Sequence, residues 1–404
     1  RVIDTRESPA GKEQLASDIP LHCGSLNQQW LLESDIIVIS PGLAVKTPEI
    51  QAAIAAGVEV IGDIELFCRV ADKPIFAITG SNGKSTVTSL VYEIAKSAGL
   101  AVGMGGNIGI PALSLLNQSF DLYVLELSSF QLETTYSLKA AAATVLNVTE
   151  DHMNRYVDLE DYRQAKLRVY QNAANIVVNN EDSLTRPDAM DTSSKVYTFA
   201  ESQADYWLRH GEDDSYLMAG NEVILPCGEV SLVGRHNYMN CLAATALSEA
   251  VGIPLAAVRH TLRHFKGLDH RFQLAANVNG VRWINDSKAT NVGSTMAALS
   301  GLQVKGTLHL LLGGDGKGAD FSELATLIEK PNIICYCFGR DGAQLAALSS
   351  HSHLFETMQQ AIEFLRPHLV VGDMVLLSPA CASLDQFPSF EKRGEEFTRL
   401  ANLK

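Results

Sequence analysis

The sequence predicts an α/β protein of three consecutive units, each built on a mainly parallel sheet. Three observations carry this. Val- and Ile-rich runs alternate with helix-spaced segments along most of the 404 residues, the signature of β-α-β units. That length exceeds what one core of ordinary size organises. Between Tyr206 and Val233 the pattern changes to short alternating runs broken by Gly and Pro, which predicts antiparallel hairpins attached to the middle sheet.

Each element follows from its local pattern. The chain opens RVIDTRESP, in which VID reads as the end of a strand. A parallel unit would carry an earlier strand and a Gly-rich turn ahead of it, so a shortened N-terminus is expected. SDIIVISPG (34–42) is a strand running into a turn, PEIQAAIAAG a helix, and VEVIGD (58–63) the next strand. The middle unit begins with IFAIT (75–79), then a helix from about Lys84 to Ala98 and strands at 101–105, 121–127 and 143–149. After the hairpin tract, GRHNYMNCLAATALSEAVG starts a helix pair and FKGLDHRFQ marks a hinge. The last third resumes the alternation, with strands at 281–286, 307–314, 332–339 and 373–380. The expected units are residues 1–62, 63–267 and 268–404.

Composition narrows the function. Hydrophobic residues make up 46% and charged residues 19%, the profile of a globular protein able to bury sizeable cores. A net charge of −14 argues against duplex nucleic acid or an anionic membrane as partner. It leaves room for a phosphorylated small molecule, since a phosphate site needs only a few N–H groups and one or two cations. The seven cysteines are scattered and show no CxxC pair, which disfavours a zinc site or a disulfide framework and favours a reducing cytoplasm. No segment approaches the roughly 20 uninterrupted apolar residues of a membrane span, and no signal peptide is read.

The chemistry concentrates in a few stretches. AITGSNGKSTVTSL (77–90) takes a strand through a glycine turn into a helix. Such a turn lets successive N–H groups of Gly80, Ser81, Asn82 and Gly83 point inward while the helix adds its positive end. Lys84 can reach a β- or γ-phosphate, and Ser85 or Thr86 can offer a hydroxyl to a magnesium ion. The spacing is shorter than G-x-x-x-x-G-K-[ST], because position 78 is Ile. Glu126 ends the strand DLYVLEL, where a carboxylate beside a phosphate loop suits a divalent cation. NVTEDHMNRY gathers Asn147, Glu150, Asp151 and His152 after another strand. Asn237 and Asn240 share a helical face at i, i+3 spacing. Arg271 in DHRFQ suits a clamp on phosphates. Thr5, Arg6, Ser40, Pro41 and Gly42 follow strands where a doubly wound sheet opens to ligand. Lys166 lies in what reads as an ordinary amphipathic helix, and pattern alone makes it solvent-facing.

These stretches carry a resemblance. ITGSNGKST resembles the ATP loop of the Mur ligase family, whose usual form is TGTNGKTT with the same shortened spacing. GGNIGIPA, LELSSFQLE, NVTEDHMNRY, YRQAKLRVY, GRHNYMNCLAA, DHRFQ, INDSKATN, LLGGDGKGADF and LLSPACASLDQFPSFEKRG agree in order and span almost the whole chain. The resemblance implies a Rossmann-like N-terminal domain, a central P-loop ATPase-like domain with a small antiparallel sheet, and a Rossmann-like C-terminal domain. These would bind a UDP-sugar, ATP and an amino acid in turn. The pattern is that of the members that add D-glutamate to UDP-N-acetylmuramoyl-L-alanine in bacterial peptidoglycan precursor synthesis, acting in the cytoplasm and expected as monomers. It implies two magnesium ions held by Ser85, Glu126, His152 and a Lys166 carbamylated by CO₂. It further implies adenine recognition by Asn237 and Asn240, a ribose contact from Asp286, and UDP-sugar contacts from Asn107, Ser128 and Gln131 beside the N-terminal group. D-Glutamate would meet Lys288, Thr290, Lys317, Ser383 and Phe390. Relatives that add a diamino acid carry a DNPR-type motif where this chain has SPACASLDQF. A GTPase switch would need an NKxD motif, which the sequence lacks.

Overall fold

The central sheet has nine strands. In chain order they are β5 (Ile75–Thr79), β6 (Val102–Gly106), β7 (Leu122–Glu126), β8 (Ala142–Val145), β9 (Asn175–Asn179), β10 (Lys195–Ala200), β11 (Tyr206–His210), β12 (Ser215–Ala219) and β13 (Glu222–Pro226), after four N-terminal strands taken up below. Their spatial order is β13-β12-β11-β10-β9-β8-β5-β7-β6. Pairing is parallel from β6 to β11, and antiparallel only across β11-β12-β13. The hairpins are therefore the tail of one continuous sheet rather than a separate one. The computed structural model describes residues 1–189, 193–211, 214–232, 234–300, 302 and 304–403, so Val233 at the end of the hairpin tract and Lys404 lie outside it.

β5, β7 and β8 are buried along their whole length, which is why they read as continuous apolar runs. Alternate residues serve two cores. Phe76 and Ile78 face the helices Lys84–Ser97, Arg235–Ala250 and Leu255–His264. Ile75 and Ala77 face the opposite layer, which holds the helices Asp63–Val70 and Leu159–Leu167. The strand ends that carry Thr79, Glu126 and Val145 thus open on the same edge.

The last unit has the six strands β14 (Gln273–Val278), β15 (Val281–Asn285), β16 (Leu308–Gly313), β17 (Ile333–Phe338), β18 (Ser352–Leu354) and β19 (Met374–Leu377). Their order is β14-β15-β19-β16-β17-β18. All pairs are parallel except β14-β15, an antiparallel edge hairpin that the sequence pattern did not single out. Arg393, on the helix Phe390–Ala401, is fully buried. Its guanidinium donates to the Ser287 and Cys381 carbonyls at 2.7 and 3.0 Å and to the Ser287 hydroxyl at 3.0 Å. One cation therefore fixes the two loops that carry Lys288 and Ser383.

The first unit is two parallel pairs: β1 (Val2–Asp4) with β2 (Leu21–Cys23), and β3 (Ile36–Val38) with β4 (Glu59–Ile61). A small core of Leu31, Ile39, Ile50, Ala53 and Val60 covers one side. No helix among the described residues is long and apolar enough to cross a membrane. Cys227, Cys241, Cys335, Cys337 and Cys381 are buried, while Cys23 and Cys68 are partly exposed.

Replacing Arg393 by Leu strands buried carbonyls that it now satisfies. The Arg393→Leu variant should lose at least about 2 kcal/mol of stability, read as a lowered urea midpoint for the C-terminal unit.

Candidate active site

The glycine turn at 80–83 is held by the strand next to it. Beyond β5, Gly80 adopts φ +149°, and a Cβ there would lie 3.0 Å from Leu146 Cβ. Ser81 N donates to the Asn147 carbonyl at 2.9 Å, and Asn82 N donates to Asn147 Oδ1 at 2.7 Å. Asn147 Nδ2 returns a bond to the Asn82 carbonyl at 3.1 Å. Ser81 Oγ donates to the Thr149 carbonyl and accepts from Thr149 N, both at 2.9 Å. Gly83 sits at φ +81°, where a Cβ would come within 2.5 Å of Asn240 Oδ1. Only glycine permits both the left-handed turn and that approach.

Two lysines converge behind the loop. Lys84 Nζ donates to the Gly80 and Ser81 carbonyls at 2.7 and 2.9 Å. Lys166 Nζ donates to the same Gly80 carbonyl at 3.0 Å and lies 4.3 Å from the centroid of the Tyr162 ring. Helical pattern alone makes Lys166 solvent-facing; the structure corrects this, since it is 1% exposed. Burial, with Lys84 next to it, drives the Lys166 ammonium well below the usual lysine range. Burial lowers Lys84 as well, against the pull of Glu126 and Asp151.

Glu126 is buried at the end of β7. Its Oε1 accepts from Asn107 Nδ2 at 2.8 Å, whereas Oε2 has no partner among the described residues. Asn107 is thus fixed to a carboxylate. Ser128 and Gln131 form a capping box on the short helix Ser129–Leu132, so that motif has a local structural task as well. His152 takes φ +59°, with its ring edge-on to Phe130 at 4.9 Å. Burial lowers its pKa to about 4 despite Asp151 beside it. Burial pushes the Asp151 carboxyl up, but Lys317, His152 and Asn291 together bring it down to about 2. Asp151 Oδ1 accepts from Lys317 Nζ at 2.7 Å.

A cavity of about 250 Å³ lies between the central and C-terminal units, lined by Asn82, Gly83, Thr86, Asn237, Asn240, Arg271, Asp286 and Lys288. Arg271 Nη2 donates to Ser85 Oγ at 2.6 Å across that junction. Asp286 accepts from Ser378 Oγ and Phe272 N, and burial raises its carboxyl to about 7. Lys288 Nζ stands 4.0 Å from the Phe390 ring centroid, and burial, with Arg271 and Lys84, lowers it to about 8. Thr290 N donates to the Lys288 carbonyl at 2.8 Å. Ser383 is buried, and its carbonyl accepts from the Gln386 and Phe387 amides. A second cleft, of about 530 Å³, belongs to the first unit and is lined by Thr5, Arg6, Ser40 and Gly42 among others. Arg6 is held there by the Asp4 carboxylate. The Pro41 carbonyl accepts from Arg155 Nη1 at 2.6 Å.

Some residues of the site carried no sequence signal of their own. Arg155 also donates to the Leu43 carbonyl and lies over the Phe130 ring at 4.0 Å, joining the first unit to the second. Asn291 Nδ2 reaches Asp151 Oδ2 at 3.1 Å, and Ser294 Oγ reaches Asn82 Oδ1 at 2.5 Å. His236 and Phe272 complete the cavity wall. Arg155 stands inside the DHMNRY stretch and Asn291 ends INDSKATN, so motif membership was the available hint.

The chain matches the Mur ligase MurD-like N-terminal domain over residues 1–62, the Mur ligase middle domain over 78–248 and the Mur ligase glutamate ligase domain over 270–381. It belongs to the Mur ligase family. This Mur ligase is 77% identical over 401 residues to the UDP-N-acetylmuramoylalanine--D-glutamate ligase of Haemophilus influenzae (strain PittEE), covering 99% of this chain and 92% of the relative. Solved structures share the fold at lower identity. MurF from Acinetobacter baumannii superposes with a TM-score of 0.68 at 17% identity, over 98% of this chain and 83% of that one. MurF from Thermotoga maritima in complex with ADP gives 0.65 at 17% identity, over 92% and 98%.

Two outcomes are expected of this Mur ligase. Gly83→Ala should lower the melting temperature, because the added Cβ meets Asn240 Oδ1 and alanine is strained in the left-handed turn. Asp286, raised from 3.8 to about 7 in the folded chain, holds a proton that the unfolded chain releases. The parent's stability relative to Asp286→Asn should therefore fall as pH rises through that window and level off above it, as measured by thermal melts of the ligand-free protein.

Proposed function

We propose that this Mur ligase joins D-glutamate to UDP-N-acetylmuramoyl-L-alanine while converting ATP to ADP and phosphate, a step of peptidoglycan precursor synthesis in the bacterial cytoplasm. One observation carries the reading: identity of 77% to a relative named for that ligation extends over 99% of the chain, the amino-acid unit included. All the residues invoked lie on one chain, so the reading requires no second copy.

The chemistry follows from the problem a carboxylate poses. It acylates poorly because its leaving group would be oxide. Transfer of the γ-phosphoryl group of ATP onto the alanyl carboxylate gives an acyl phosphate, the D-glutamate amine attacks it, and phosphate leaves as the amide forms. In this scheme the loop amides of Gly80 to Gly83 cradle the phosphates and Lys84 swings from its carbonyl partners onto the charge that develops. Asn237 and Asn240 contact adenine, Asp286 the ribose, and Arg271 the phosphates. Thr5, Arg6, Ser40, Pro41, Gly42, Asn107, Ser128 and Gln131 serve the UDP-sugar. Lys288, Thr290, Lys317, Ser383 and Phe390 hold D-glutamate, whose carboxylate would draw Lys317 from Asp151. Orientation of this kind supplies roughly 7–11 kcal/mol of a barrier.

The residues fit magnesium. The unpartnered, buried Oε2 of Glu126, the Ser85 hydroxyl and neutral His152 are oxygen and nitrogen donors beside the phosphate loop. With them belongs Lys166, whose amine is pressed toward its neutral, CO₂-accepting form. Magnesium bound there would lower the repulsion between the polyphosphate and the incoming carboxylate.

Phosphate release measured with UDP-N-acetylmuramoyl-L-alanine, ATP and single amino acids should depend on D-glutamate. Release driven equally by L-alanine or a diamino acid would overturn the reading. Lys84→Ala should abolish turnover and keep UDP-sugar binding. Stripping dissolved CO₂ should lower activity and bicarbonate should restore it, with Lys166→Met indifferent to both.

A further inference from the structure

The helix Val292–Leu299 belongs to the C-terminal unit, yet its first turn rests on the phosphate loop of the central one. Asn291 caps this helix by accepting from Ser294 N at 2.8 Å, and the other end of its amide donates to Asp151. Ser294 Oγ donates to Asn82 Oδ1. Asn82 is held four ways: its N–H donates to Asn147 Oδ1, its carbonyl accepts from Asn147 Nδ2, its Oδ1 accepts from Ser294 Oγ, and its Nδ2 donates to Thr149 Oγ1 at 3.3 Å. Gly293 lies against this bonded pair. A Cβ at Gly293 would fall 2.8 Å from Thr149 Oγ1, 3.1 Å from Asn82 Nδ2 and 3.3 Å from Thr149 Cβ.

Gly293 is absent from the positive-φ residues. Its backbone is that of an ordinary first helical turn, which any L-residue adopts, so nothing within its own unit calls for glycine there. The missing side chain matters only when the two units are in contact. Alanine in a helix is in fact favoured over glycine by roughly 0.5–1 kcal/mol. A side chain at this position would leave the C-terminal unit as stable or more so, and would hold it off the loop.

We infer that Gly293 and Ser294 are positioning residues that set how closely the amino-acid unit seats on the phosphate loop, Gly293 by the absence of bulk and Ser294 by its bond to Asn82. Their effect on the reaction rests on the ligase reading above. Through Asn82 the seating aligns the loop amides, and through the same helix cap it places Asp151 and its partner Lys317. The reacting amine is delivered by the unit that Gly293 lets approach. A displacement of about 1 Å in such an arrangement can lower turnover about 100-fold.

The test compares the parent with Gly293→Ala, Gly293→Val, Ser294→Ala and Ser294→Thr. Nucleotide binding is titrated with the non-hydrolysable ATP analogue AMP-PNP and magnesium. Phosphate release is measured with all substrates, and the radius of gyration by X-ray scattering with and without them. Turnover is expected to fall in the order parent, Gly293→Ala, Gly293→Val, reaching about 100-fold for the last. The melting temperature should be unchanged or raised, and Gly293→Val should stay more expanded than the parent under saturating ligands, with AMP-PNP bound more weakly because Arg271 and Asp286 are held back with the unit. Ser294→Thr, which keeps the hydroxyl, should restore most of what Ser294→Ala loses. Parent-like turnover and parent-like scattering in Gly293→Val would overturn the inference. So would a lowered melting temperature, since that marks a folding defect. If the parent itself releases no phosphate with D-glutamate, the ligase reading falls, and the scattering comparison still judges the seating by itself.

Discussion

Two lysine amines share one carbonyl oxygen at the heart of this molecule. Lys84 and Lys166 both donate to the Gly80 carbonyl from buried positions, and neither faces a carboxylate within bonding distance there. Each cation costs the other some of its charge in a setting where desolvation already opposes ionisation. The arrangement is tolerable because Gly80 cannot move. Its neighbours Ser81 and Asn82 are pinned to Asn147 and Thr149 on the adjoining strand exit. The rest of the site is arranged around that strained cluster. Glu126 presents an unpartnered oxygen, Asp151 takes up Lys317, and Arg271 reaches in to Ser85. Lys84 nonetheless lies in the field of Glu126 and Asp151, which oppose the loss of its charge.

Much of this was legible in the sequence where structure is local. IFAIT is read as a strand and is one, residue for residue, because a central parallel strand buried on both faces has no alternative composition. The helix beginning at Lys84 is marked by the glycine turn that precedes it. β14 was not legible: QLAANV lies at a sheet edge with only partial burial, so its apolar pattern is diluted. β18, three residues long and largely exposed, fails for the same reason. β9 and β10 carry no turn or motif signal of their own, although NIVVN is apolar.

The site divides in the same way. Asn82, Gly83, Thr86, Asn237, Asn240, Arg271, Asp286 and Lys288 come from separate stretches that each carried a signature, and they meet around one cavity. The burial of Lys166 could not be read, because its helix has a weak amphipathic pattern and the deciding partner, the Gly80 carbonyl, is 86 residues away. The bond between Ser294 and Asn82 spans 212 residues. No window of sequence holds both, and a serine in the first turn of a helix is explained already by local capping.

Both joints of the molecule combine neutral contacts with an ion pair. Arg155 grips the Pro41 and Leu43 carbonyls while its plane lies over Phe130. Its main acceptors there are neutral dipoles, which dissolved ions screen weakly, but the same joint also carries the exposed Lys46–Asp161 ion pair at 2.5 Å. The other junction leans on Lys317 with Asp151 and on a guanidinium near several charges. Rising ionic strength should therefore strip the exposed Lys46–Asp161 pair while Arg155 keeps its grip, so the near joint softens at one edge without losing its alignment.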